Sequence, residues 1–228
     1  MKRDWVEGVA QERAIAVVRA TDVALGLAMA SAVAAGGFRL IEVTWTSQDP
    51  VGLVTALRHH LPHCQIGAGT LCTPTAVAEA IAAEAQFCFM PHTTVGLIRV
   101  LTEAGIPAIP GALTPTEIIT AWQAGASAVK VFPIQAVGGA AYVRHLRGPL
   151  GHIPLIPTGG VSLENGRSLI EAGAIAVGLS TALFPPAAIA TQDWAAITRR
   201  AAQILGILRS PAPDPHALPD HDSGLPDV

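Results

Sequence analysis

The chain has 228 residues, of which 50% are hydrophobic, 14% charged and 4% aromatic, with a formal net charge of −3. That length suits one large domain or two small ones with a sizeable core. The composition excludes a polar disordered chain, and the charge gives no basic field for a phosphate backbone, which argues against a nucleic-acid partner.

From the N-terminus, Lys2, Arg3, Asp4, Glu7, Glu12 and Arg13 precede any apolar run, so no secretory signal peptide is visible. Lys2–Glu12 reads as a short extra helix that closes one end of the fold. Short β-branched runs then recur, each ending in small, hydroxylated or other loop-favouring residues and followed by an Ala-rich helical stretch. They are Ala14–Arg19, Arg39–Thr44, Gln65–Thr70, Phe87–Pro91, Ala108–Gly111, Ala128–Pro133, Leu155–Gly159 and Ala174–Ser180. The spacing of about 20–30 residues is that of successive βα units. Helix starts are signalled by Asp22, by Thr73–Pro74, by Thr114–Pro115 with Glu117 three residues after Thr114, and by Ser162. Eight runs alternating with helices predict an α/β fold of the (β/α)8 TIM-barrel type over residues 1–209. A doubly wound open sheet is the alternative.

The uncharged run Ala172–Gln192 is interrupted by Gly173, Gly178 and Pro185–Pro186, so it cannot be one membrane-spanning helix, although mean hydropathy is +0.45. Residues 210–228 hold Pro211, Pro213, Pro215, Pro219 and Pro226 with four aspartates and read as a disordered tail. Cys64, Cys72 and Cys88 lack CxxC spacing and read as reduced thiols of a cytoplasmic protein.

In such a barrel the reactive groups face inward at the C-terminal ends of the strands. Lys130 is one of only two lysines, the other being Lys2, and lies in the apolar run Ala-Val-Lys-Val-Phe-Pro. Alternation sets Ala128, Lys130 and Phe132 on one face and the valines on the other, so Lys130 points inward. Desolvation lowers the pKa of such an amine, which suits attack on a carbonyl and formation of a Schiff base. The alternative is a structural partner of a carboxylate, or a lysine that snorkels to the surface.

Glu42 shares a face with Leu40 and Thr44. Runs two and six lie opposite one another in an eight-strand ring, and layers inside a barrel come from alternate strands, so Glu42 and Lys130 can share a layer. A carboxylate beside an imine-forming amine is suited to move protons. A static ion pair is the alternative.

Thr158-Gly159-Gly160-Val161-Ser162 follows run seven and Gly178-Leu179-Ser180 ends run eight, the positions where barrels commonly bind phosphate. Either could also be a plain turn. Arg19 could clamp an anion, and Thr70 offers a hydroxyl beside the small residues 67–69. Pro91 and Phe132 are placed to line the pocket or the core. His59, His60 and His63 read as solvent-exposed, His92 as a residue at the pocket mouth, and no metal-ligand set is apparent.

The ordered motifs Glu42-Val43-Thr44, Gly67-Ala68-Gly69-Thr70, Pro107-Ala108-Ile109-Pro110-Gly111, Lys130-Val131-Phe132-Pro133, Pro157-Thr158-Gly159-Gly160-Val161 and Gly178-Leu179-Ser180 together resemble the class I bacterial aldolases acting on 2-keto-3-deoxy-6-phosphogluconate and 4-hydroxy-2-oxoglutarate. The resemblance spans roughly residues 5–208. It implies a metal-free, cofactor-free homotrimeric (β/α)8 lyase. Lys130 would be the Schiff-base lysine and Glu42 the acid/base. Substrate would be bound by Arg19, Thr70, Pro91, Phe132, Thr158, Gly159, Gly160 and Ser180. The implied products are pyruvate and glyceraldehyde 3-phosphate, with cleavage of 4-hydroxy-2-oxoglutarate and decarboxylation of oxaloacetate as further activities. Oxaloacetate decarboxylation as the main activity and a non-catalytic phospho-sugar binding barrel are the alternatives. Family members specific for phosphogluconate commonly carry an arginine four residues after the glutamate. Thr46 stands there in this chain, which leaves the substrate epimer and the anion clamp open. His92 replaces a frequent glycine after the fourth-strand proline.

Overall fold

The computed structural model describes residues 2–210. The chain opens with helix α1 (Lys2–Glu12). Parallel strands and helices then alternate: β1 (Ala14–Val18), α2 (Val23–Ala35), β2 (Leu40–Thr44), α3 (Pro50–His60), β3 (Gln65–Gly69), α4 (Pro74–Ala82), β4 (Cys88–Phe89), α5 (Val95–Glu103), β5 (Ala108–Ile109), β6 (Gly111–Ala112), α6 (Pro115–Gln123), β7 (Val129–Val131), a 3-10 turn (Ile134–Val137), α7 (Ala140–Leu150), β8 (Leu155–Pro157), α8 (Leu163–Glu171), β9 (Val177–Leu179), α9 (Pro186–Ala190) and α10 (Trp194–Arg209). No helix among the described residues is long and apolar enough to cross a membrane.

The strands form a curled parallel sheet. One part runs in the order β5-β4-β3-β2-β1-β9, the other β6-β7-β8. First and last strands are neighbours, with Ala14 opposite Val177. The order never reverses at a switch point, which excludes the doubly wound alternative. The two parts meet at Pro110 and at a parallel bridge between Thr158 and Gly178. The fifth expected run is thus two strands. Pro110 has no N–H to continue the ladder, yet its carbonyl accepts the Lys130 N–H at 2.9 Å.

Predicted helix starts appear as caps. Asp22 accepts from the Leu25 N–H and Thr73 from the Ala76 N–H, while Thr114 and Glu117 close a capping box. Ser162 caps α8 in a second box whose other member is Asn165. Three hydrogen bonds, from the Leu113 and Thr114 N–H groups and the Thr114 hydroxyl, hold the Glu117 carboxyl below its ordinary pKa. Residues 211–228, most of the expected tail, lie outside the described residues, and Ser210 is the C-cap of α10.

Alternation along the strands divides the interior into two cores. Ala16, Val18, Ile41, Val43, Val129 and Val131 face the helices. Ile15, Leu40, Phe87, Phe89, Ile109, Ala128, Ile156 and Ala176 face the inside of the curl, where Trp5 and Val9 of α1 join them. The expected closing role of α1 is therefore observed. Phe87 is central to this floor, 5.7 Å from the Trp5 ring and edge-on to Phe89 at 5.9 Å. It is fully buried, so Phe87→Ala should destabilise the protein by about 3–5 kcal/mol, read as the loss of unfolding free energy in urea titrations.

Candidate active site

Above the aromatic floor, at the C-terminal ends of the strands, a cavity of about 250 Å3 is lined by Val17, Arg19, Glu42, Thr44, Thr70, Pro91, Lys130, Phe132, Thr158, Gly159, Gly160, Val161, Gly178, Ser180 and Thr181. All ten residues singled out from the sequence therefore reach one cavity. Val17 and Thr44 also line it. Their signal was in the sequence: Val17 alternates with Arg19 and Thr44 with Glu42. Val161 belongs to the glycine motif already noted after run seven, and Thr181 carried no signal, because it lies beyond β9 in the loop that follows it. His92 is exposed and is not a wall of the cavity. It is Thr93 that turns inward there, its hydroxyl donating to the Gly111 carbonyl at 2.9 Å. His59, His60 and His63 are exposed, as expected.

Lys130 and Glu42 are 5% and 1% exposed. Registers place Glu42 between Val17 of β1 and Gly67 of β3, and Lys130 between Gly111 of β6 and Ile156 of β8. The Lys130 Nζ lies 5.6 Å from the Phe89 ring centre and 5.1 Å from that of Phe132. The negative faces of these rings offset part of the cost of burying an ammonium, about 0.5–2 kcal/mol per ring. Among the described residues no ion pair within 4.0 Å joins Lys130 to Glu42. The static pair considered as an alternative is thus not formed, and both groups face the cavity.

Glu42 Oε1 is buried without a hydrogen-bond partner. Its carboxyl is pushed above the ordinary 4.5, first by desolvation, against the opposing attraction of Lys130 and Arg19. The carboxyl lies against Gly69, where a Cβ would come within 1.8 Å of Oε1. Glycine at this strand position is what gives the carboxylate room. The next residue, Thr70, has φ +61. A β-branched side chain in the left-handed region is strained, and such strain collects at functional sites.

Across the cavity, Gly159 and Gly160 have φ +90 and +80. Their turn leads into the N-terminus of α8, where the helix dipole favours anions. Arg19 is exposed at the mouth, and Ala20 beside it is fixed by the Ser47 hydroxyl, which accepts the Ala20 N–H at 3.2 Å. Thr46 does not reach the cavity. It donates to Thr44 Oγ1 at 3.2 Å. Among the described residues no group of three or more His, Cys, Asp or Glu is arranged to hold a metal. Cys64 and Cys88 are buried free thiols and Cys72 an exposed one, with burial pushing the Cys88 thiol up to about 12.

The family described as "Aldolase: KDPG and KHG aldolase" matches residues 6–200. A 2-dehydro-3-deoxy-phosphogluconate aldolase of Dickeya dadantii (strain 3937) is 35% identical over 170 residues, covering 75% of this chain and 80% of that protein. A KHG/KDPG aldolase of Escherichia coli (strain K12) is 34% identical over 173 residues, covering 76% and 81%. The crystal structure of KDPG aldolase from Legionella pneumophila, with pyruvate captured at low pH as a covalent carbinolamine intermediate, has a TM-score of 0.81 at 28% identity, covering 87% of this chain and 97% of that one.

A carboxyl whose pKa is raised on folding costs nothing where both folded and unfolded states hold the proton. The cost grows as pH rises from its unfolded value through its folded one, then levels off. Glu42→Gln never ionises, so it should raise Tm relative to wild type at about pH 8, with the gain shrinking toward about pH 4. Thermal melts across that range check both the sign and the trend.

Proposed function

Because the chain belongs to the KDPG and KHG aldolase family, we propose that it is a class I aldolase cleaving 2-keto-3-deoxy-6-phosphogluconate or its galactonate epimer to pyruvate and glyceraldehyde 3-phosphate. The two parts of the curled sheet are read as one (β/α)8 barrel, with β5 and β6 as its fifth strand and residues 1–209 as its domain. The single observation that carries the reading is a buried lysine and a buried, unpaired carboxyl facing one cavity at the strand C-termini.

The Lys130 amine, as free base, adds to the C2 ketone. Glu42 serves as the proton carrier that moves the ammonium proton to the new alkoxide. The resulting carbinolamine loses water once its hydroxyl is protonated, leaving an iminium. That cation is the electron sink: the C3–C4 bond breaks, its electron pair enters the iminium as an enamine, and the C4 hydroxyl gives up its proton as the aldehyde departs. A proton returned to C3 regenerates the iminium, and water releases pyruvate and the amine. A carboxyl with an elevated pKa suits these alternating transfers near neutral pH. Thr70 and Arg19 are positioned to hold the pyruvyl carboxylate. The Gly159–Gly160 turn with Ser180 is positioned for the phosphate, and Thr158, Phe132 and Pro91 for the intervening carbons. The same sink accepts the C3–C4 electron pair of 4-hydroxy-2-oxoglutarate as glyoxylate departs, and the pair left when oxaloacetate loses CO2, so both reactions are expected on the same lysine. The homotrimer implied by the family resemblance and the cytoplasmic location read from the cysteines belong to this proposal.

Incubation with pyruvate and borohydride should add a reduced pyruvyl mass to the peptide containing Lys130. Lys130→Ala should abolish the adduct and lower kcat by roughly 10³-fold or more. A binding protein without catalysis would give ligand stabilisation and no adduct. Gly69→Ala displaces the Glu42 carboxyl and should lower kcat roughly 10- to 100-fold while the chain stays folded by circular dichroism.

A further inference from the structure

A pair of glycines at positive φ is free to leave that conformation, because glycine populates many others equally well. A turn that is to receive an anion with its backbone N–H groups must therefore be held by something else. Three donors hold it here, each on a different carbonyl. The Ile134 N–H donates to the Thr158 carbonyl at 3.0 Å, and the Gln135 N–H to the Gly159 carbonyl at 3.2 Å. The third carbonyl, that of Gly160, has no backbone donor. It is taken by a side chain, with Asn165 Nδ2 donating at 2.8 Å.

In a trans peptide the C=O and the N–H of one plane point in opposite directions. Fixing the carbonyls of 158, 159 and 160 therefore aims the N–H groups of Gly159, Gly160 and Val161 away from those donors. Among the described residues the Gly160 and Val161 N–H groups have no hydrogen-bond acceptor, and both residues line the cavity, while the Gly159 N–H faces the Gly178 carbonyl across the parallel bridge that joins Thr158 and Gly178. Successive unpaired N–H groups of this kind form an anion-binding concavity. Asn165 also reaches the far side of the turn, its Oδ1 accepting the Ser162 N–H at 2.8 Å, and its amide lies 3.5 Å from Gln135 Oε1. One side chain thus ties the glycine turn to the first turn of α8 and approaches the 3-10 turn.

We infer that Asn165 is a positioning residue for the phosphate of the substrate: it contacts no substrate atom and acts by holding the Gly160 carbonyl outward so that the Val161 N–H stays aimed at the anion. This rests on the reading of the Gly159–Gly160 turn as the phosphate site.

The test compares wild type, Asn165→Ala and Asn165→Asp on 2-keto-3-deoxy-6-phosphogluconate and on its dephosphorylated form, with borohydride trapping of pyruvate on Lys130 as a third readout. The aspartate variant keeps the acceptor for the Ser162 N–H, and with it the helix cap, but has no donor for the Gly160 carbonyl. The expected result for both variants is a KM for the phosphorylated substrate raised about tenfold, the scale of one fixed hydrogen bond. Inhibition by inorganic phosphate should weaken in parallel. The KM for the dephosphorylated substrate and the rate of trapping should stay within about twofold of wild type. An unchanged KM for the phosphorylated substrate in Asn165→Asp overturns the inference and leaves the phosphate site standing. Equal losses on both substrates together with slower trapping also overturn it, since they report a merely structural asparagine. A wild-type enzyme that neither prefers the phosphorylated substrate nor is inhibited by phosphate overturns the phosphate site and the inference together.

Discussion

Two buried ionisable groups share one cavity without forming an ion pair, and the surrounding residues make that arrangement possible. A carboxylate and an ammonium buried together would normally collapse into a hydrogen-bonded pair, because each offsets part of the other's desolvation. Here Glu42 Oε1 stays unpartnered against the bare backbone of Gly69, and the Lys130 Nζ rests near two aromatic rings. The two groups remain coupled through space, as the lowering influence of Lys130 and Arg19 on the Glu42 carboxyl shows, but burial prevails and the carboxyl ends above its ordinary pKa. The space between them is where a keto acid can form a covalent bond to the amine and exchange protons with the carboxyl.

The strands supply two layers with opposite demands. Below, Trp5, Phe87 and Phe89 fill the inside of the curl and block water from that side. Above, the inward positions turn small or polar: Gly67 and Gly69 on β3, Gly111 on β6, Gly178 on β9, with Thr44, Thr70 and Thr158 at strand ends. Thr70, Gly159 and Gly160, all at positive φ, lie where the strands give way to loops and all border the cavity; only Thr70 is strained there, since glycine adopts positive φ freely, and the other non-glycine residues at positive φ, Arg13, Glu84 and Gln192, lie away from the cavity.

The side of the cavity proposed to receive the anion is built from backbone rather than from charged side chains. Carbonyls of the glycine turn are held outward by the residues after β7 and by Asn165, and the capping box of α8 is part of the same network. Among the described residues, Arg19 and Lys130 are the only cationic side chains on the cavity wall. On the proposed reading, recognition of an acidic substrate depends on geometry as much as on net charge in a chain whose overall charge is −3.

The alternation of apolar and small residues with period two determined which face of each strand looks inward. That was enough to place Glu42, Lys130 and Thr44 on the inside and the valines of β7 against the helices. A lone lysine in an apolar run, and glycines after the last two runs, pointed to the chemistry because their cost or their conformational freedom is written in residue type. Local signals also determined the helix starts at Asp22, Thr73, Thr114 and Ser162, since a cap depends on residues within one turn. The split of the fifth run at Pro110, the absence of a direct Lys130–Glu42 pair, the left-handed Thr70 and the clasp of Asn165 on Gly160 were decided only by the tertiary structure. The split at Pro110 and the missing Lys130–Glu42 pair depend on where segments remote in sequence come to rest, β7 beside Pro110 and Gly69 against Glu42, whereas the Asn165 clasp spans five residues and acts on a turn that the segment after β7 also holds. Sequence pattern specifies which way a side chain points; distance and hydrogen-bond partner follow only once the sheet has curled.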